Sequence, residues 1–115
     1  MSIMKVDYGD VGGASAGATG IIQSPSAADF TIIELGFAPT DAFIYTNYGT
    51  QNAIVLHMVV STGKIYRTWA NGFEEDYTSS FDTCFIVDGT TLKYKAYTAS
   101  YYTNPTRWVA IKEQS

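Results

Sequence analysis

From Phe81 to Glu113 the chain reads FDTCFIVDGTTLKYKAYTASYYTNPTRWVAIKE, apolar segments broken by turn residues. An apolar strand meets Asp88-Gly89, a strong short-range hairpin signal. The next segment alternates, with Leu92, Tyr94 and Ala96 on one face and Lys93 and Lys95 on the other. A Tyr/Asn/Pro loop follows, and Arg107-Trp108-Val109-Ala110-Ile111 reads as a final strand built into the core. This pattern predicts strands over about Phe81 to Val87, Thr91 to Thr98 and Thr106 to Lys112.

Upstream, apolar segments recur at similar intervals. Phe30 to Leu35 is apolar on both faces except at Glu34, and Gly36 to Asp41 is a turn whose Pro39 cannot continue a ladder. Ala42 to Thr46 predicts another strand, closed by Asn47-Tyr48-Gly49-Thr50-Gln51-Asn52. Ala53 to Val60 is apolar on both faces apart from His57, which predicts a central strand covered on two sides. Ser61-Thr62-Gly63 turns the chain into Ile65 to Trp69. Ala70 to Ser80, with Asn71-Gly72 and the acids Glu74-Glu75-Asp76, is expected to be the longest loop. A short strand fits Ile3 to Tyr8. No stretch keeps a 3.6-residue period. Short strands at this spacing predict an all-β fold, an antiparallel β-sandwich of about seven to eight strands.

Residues 12–20 (GGASAGATG) carry only small side chains. They are expected to form a flexible connection, or an extended segment pressed against another chain. The division that follows is an N-terminal arm and Gly/Ala-rich connection over 1–20 and a sandwich domain over 21–115.

Composition adds to this pattern. The 115 residues suffice for one domain that buries roughly two-thirds of its unfolded surface. Charged residues make up only 16%, and nine Tyr outnumber the seven Lys plus Arg. Such an exterior suits a protein that covers part of itself in an assembly. The net charge of −4 offers no basic patch to nucleic acid or anionic lipid, so neither is expected as a partner. No segment approaches the ~18 apolar residues of a membrane span, and the N-terminus has no signal-peptide pattern. Folding in a reducing cytoplasm is the expectation, and the lone Cys84 reads as a small buried hydrophobe within a strand.

Candidate chemistry is sparse. His57 is the single histidine, so any His-based catalysis rests on it, and a hydrogen-bonded structural role is expected. One His and one Cys do not make a zinc set. Glu74, Glu75, Asp76, Asp82 and Asp88 offer carboxylates to calcium, but their spacing matches no loop motif. No phosphate loop, nucleophile elbow or Cys-His pairing is present. The expectation is no enzyme, no cofactor and no metal. The candidate ligand-binding residues are instead Asn47, Tyr48, Tyr101, Tyr102 and Asn104, flat rings beside amides at strand ends. That combination can stack on a sugar or meet a protein, or simply pack over the rim of the fold.

The segments GFAPTDAFIYTNYGTQ, FIVDGTTLKYKAYT and RWVAIKE together resemble the C-terminal β domains of bacteriophage and prophage tail-associated proteins. Gly36, Phe37 and Pro39, then Asp88 and Gly89, then Trp108, Ala110 and Ile111 carry the likeness. A looser similarity extends to the H-type lectins, small trimeric sandwiches that bind sugars. The resemblance implies a structural or adhesive component of a tail or virion, assembled in the host bacterial cytoplasm. As partners it implies copies of itself, with a trimer favoured, other tail or virion proteins, and a surface glycan. The alternative is a free-standing carbohydrate-binding module.

Overall fold

The computed structural model describes residues 2–5, 16–48, 52–97 and 105–113. Two sheets pack face to face as a β-sandwich, and the antiparallel all-β class expected from the pattern is what forms. Ten strands and one helical turn are present among these residues. The smaller sheet contains β1 (Ser2–Lys5), β3 (Thr31–Glu34), β8 (Phe85–Asp88) and β9 (Thr91–Tyr94), in the order β1-β3-β9-β8. β1 runs parallel to β3, and the other pairs are antiparallel. The larger sheet holds β2 (Ala16–Ile22), β4 (Asp41–Tyr48), β5 (Asn52–Val59), β6 (Lys64–Trp69), β7 (Glu74–Asp76) and β10 (Thr106–Lys112). Its order is β2-β10-β4-β5-β6-β7, antiparallel throughout.

Alternation along each strand sends one set of side chains between the sheets. Ile33, Phe85, Leu92 and Tyr94 from the smaller sheet meet Ile44, Leu56, Ile65 and Trp108 from the larger, all buried in one core. The turns follow their residues. Gly89 is the first central residue of the two-residue β8–β9 loop, with φ of 61°, which suits the primed turns that tight hairpins use. Gly63 (φ 73°) closes the β5–β6 turn, its N–H donating to Val59 O at 2.9 Å.

Three segments differ from the sequence reading. Ala16 to Gly20 are neither a loose connection nor an arm on another chain; with Ile21 and Ile22 they form β2, paired along β10 of their own chain from Lys112↔Ala16 to Thr106↔Ile22. Glycine is required at position 20, because a Cβ there would lie 2.6 Å from Trp108 Nε1. Residues 12–15 lie outside the described residues.

Second, the acidic run is a strand. Glu75 faces Arg67 across the β6–β7 ladder, and Asp76 faces Tyr66. Cations on β6 turn what reads as a solvated loop into an edge strand. Third, Phe81 ends a helical turn, α1 (Thr78–Phe81), and does not open a strand. Thr78 ties the turn down: its Oγ1 donates to Asp76 Oδ1 at 2.6 Å and accepts from Ile65 N at 2.9 Å. Cys84 is buried as expected, but in the turn before β8.

Candidate functional site: the uncovered face of the larger sheet

The residues of the larger sheet that point away from the core form cross-strand rows. One row runs Thr19–Val109–Phe43–His57–Tyr66–Asp76, and the next runs Ile21–Arg107–Tyr45–Val55–Thr68–Glu74. A third contains Ile111, Asp41, Val59 and Lys64. Here β5 departs from its sequence reading. Ile54, Leu56 and Met58 are buried, while Val55, His57 and Val59 are only half-buried and Ala53 is exposed. Among the described residues no element packs over its second apolar face, which looks out of the sandwich. Ile21 and Tyr45 on the same face are 43% and 41% exposed, well above what a core position tolerates.

The centre of the face is aromatic. The rings of Phe43 and His57 stack with centroids 4.4 Å apart and 17° between planes. Tyr45 lies 6.5 Å from Phe43 along β4. His57 Nε2 donates to Asp41 Oδ2 at 2.8 Å, since a carboxylate can only accept. This is the hydrogen-bonded role expected of the histidine. An Asp-His pair is also two-thirds of a hydrolytic triad. Among the described residues, however, no hydroxyl or thiol is hydrogen-bonded to His57, and Cys84 is buried next to β8.

On the core side of the same sheet, β7 is stapled by a carboxylate–guanidinium–aromatic cluster. Arg67 Nε and Nη2 donate to Glu75 Oε2 at 3.1 and 2.6 Å, and Trp69 Nε1 donates to the same oxygen at 2.8 Å. The guanidinium lies 3.7 Å from the Tyr77 ring centroid and 4.4 Å from that of Trp69. Alternation therefore splits the acids: Glu74 and Asp76 face outward, and Glu75 faces in. No three His, Cys, Asp or Glu groups among the described residues converge as a metal site.

Two of these carboxylates are held below their ordinary range. Glu75 is lowered by the Trp69 indole first and the Arg67 guanidinium second. Asp76 is lowered by the Thr78 hydroxyl and then by the Thr78 N–H. A folded pKa below the unfolded one stabilises at neutral pH, and that contribution is lost as pH falls through the folded value. The denaturant midpoint should therefore decline as pH falls through and below the ordinary carboxylate range. Glu75→Gln should make that decline shallower. An identical slope in the variant would show that the staple does not couple to protons.

The predicted binding residues are partly placed. Asn47 is half-buried on the outer face beyond Tyr45, opposite Ala53. Tyr48 ends β4 opposite Asn52. Tyr101, Tyr102 and Asn104 lie outside the described residues. β10 opens at Thr106 on the rim of the sheet where β4 closes. Exposed Phe73, next to the β6–β7 turn, belongs to that rim too. Sequence reasoning missed the face itself, Phe43, Tyr45, Val55, Tyr66 and Val109. The available signal was the two-faced apolarity of β5 beside the Phe43/Tyr45 alternation. A concavity of about 170 Å³ beside β8, lined by Met58, Ile65, Phe85 and Val87, carries one carboxylate, Asp82. No known protein family matches the chain, and no curated protein does. Among the described residues no helix is long and apolar enough to cross a membrane.

Proposed function

We propose that this chain is a non-enzymatic assembly module, a structural or adhesive component of a bacteriophage or prophage tail or virion that works as a symmetric homo-oligomer. The observation that carries the reading is the uncovered face of the larger sheet, where Phe43, Tyr45, Val55, His57, Tyr66 and Val109 sit in adjoining rows. Contiguous apolar surface of this kind marks an interaction site. Interface cores are enriched in aromatic residues and ringed by polar ones, and here the charges Asp41, Lys64, Glu74, Asp76 and Arg107 lie around the aromatic centre. The low charge of the whole chain fits the same role. The tail setting, the other tail proteins as partners and the preference for three copies come from the resemblance of Gly36 to Gln51, Phe85 to Thr98 and Arg107 to Glu113. Mass spectrometry of particles purified from cells that carry the gene tests the setting. The chain should be recovered in fixed ratio to the tail proteins, and its absence from the particles would refute the assignment.

A second reading is a carbohydrate-binding module. It rests on Asn47 beside exposed Tyr45 at the rim, with Tyr48, Tyr101, Tyr102 and Asn104 as further contacts. Single sugar contacts are weak, so avidity over several copies would supply the affinity. On a glycan array the binding should be unaffected by EDTA and lost in the Tyr101→Ala/Tyr102→Ala variant. A blank array removes the glycan and leaves the structural role.

A further inference from the structure

Five charged side chains lie on the uncovered face, Asp41, Lys64, Glu74, Asp76 and Arg107. Asp41 is bonded to His57, and Lys64 reaches Asp76 at 3.4 Å. Arg107 and Glu74 are exposed and have no ion-pair partner among the described residues; Glu74 accepts only the Thr68 hydroxyl, at 3.1 Å. Both belong to one cross-strand row, Arg107 on β10 and Glu74 on the β7 edge. Four strand spacings of ~4.8 Å separate them, about 19 Å, so they cannot meet within one chain.

Resting on the self-association proposed above, we infer that two copies pair through this face across a two-fold axis parallel to the strands, with Arg107 of each copy set against Glu74 of the other. An axis midway between β4 and β5 gives the greatest overlap of a six-stranded sheet. It lays β10 over β6 and β2 over β7 of the second copy. Row by row, Phe43 then meets His57, Tyr45 meets Val55, and Val109 meets Tyr66. Arg107 falls opposite Thr68, one strand from Glu74, within reach of a long side chain. The same contact is made twice, as a two-fold requires. Sheets stacked ~10 Å apart with nearly aligned strands are an ordinary packing. Six strands at ~4.8 Å and about six residue steps of ~3.4 Å give roughly 600 Å² of projected face per copy. Some 1,200 Å² for the pair reaches the size of a specific interface. The face thus selects pairs, in place of the three copies favoured by the resemblance.

Charge reversal followed by sedimentation equilibrium tests this. R107E or E74R alone should weaken association by about tenfold or more, by setting like charges together. The R107E/E74R double variant should associate like the wild type. An equimolar mixture of the two single variants should pair again, because a heterodimer contains both opposite-charge contacts. A head-to-tail ring of three keeps at least one like-charge contact in any mixture, so mixing would restore its association only in part. A trimer mass, or single variants that associate like the wild type, overturns the two-fold pairing while leaving self-association intact. A monomeric wild type removes both.

Discussion

Trp108→Ala should lower the free energy of unfolding by about 3–5 kcal/mol, the range for emptying a core aromatic site. Trp108 is fully buried on β10, a strand flanked on both sides by β2 and β4. Its indole presses on Gly20 of the neighbouring strand, so the cavity opens against backbone. Backbone held in two ladders cannot collapse into the space, which places the cost at the upper part of the range. The converse substitution tests the same contact. Gly20→Ala puts a Cβ 2.6 to 2.8 Å from Nε1, Cε2 and Cζ2 of a ring with nowhere to move. Overpacking of this kind costs about 1–3 kcal/mol. Denaturant unfolding reads both. A change below about 1 kcal/mol for Trp108→Ala would mean that β10 is peripheral.

Phe43→Lys should abolish self-association while the chain stays folded. Phe43 is outside the core and centred on the outer face, stacked on His57 and flanked by Val109. A half-buried sheet position in a monomer accepts a Lys with its stem along the surface. Buried in an interface, the same ammonium loses its water, and the nearest carboxylate on the face, Asp41, is already hydrogen-bonded to His57. The association constant should fall at least about thirtyfold, some 2 kcal/mol, the threshold for a hot-spot residue. Circular dichroism and the denaturant midpoint should stay near wild type. If Phe43→Lys associates as the wild type does, the face is not the interface.

The parts of the fold that could be read from the chain were those where local pattern and burial agree. The β8–β9 hairpin followed from Asp88-Gly89 and the Leu92/Tyr94 alternation, and Trp108 was placed in the core by the apolar strand around it. β2 was illegible because its strand character lies in its neighbour: the small residues of 16–20 suggest looseness until Trp108 is known to press on Gly20. β7 was hidden for a similar reason. Three successive acids carry no strand signal, and the signal is supplied by Arg67, Trp69 and Lys64 on the facing strand. Of the site, Asn47 and Tyr48 were picked out by turn composition. The outer face was not, since a strand apolar on both sides reads as buried on both sides whether its cover is the same chain or another copy.

Sedimentation equilibrium of the wild-type chain at micromolar concentration tests the central claim most directly. An uncovered aromatic sheet face predicts an oligomer, in multiples of two if the Arg107–Glu74 pairing holds. A single species at the monomer mass across the concentration range would contradict it.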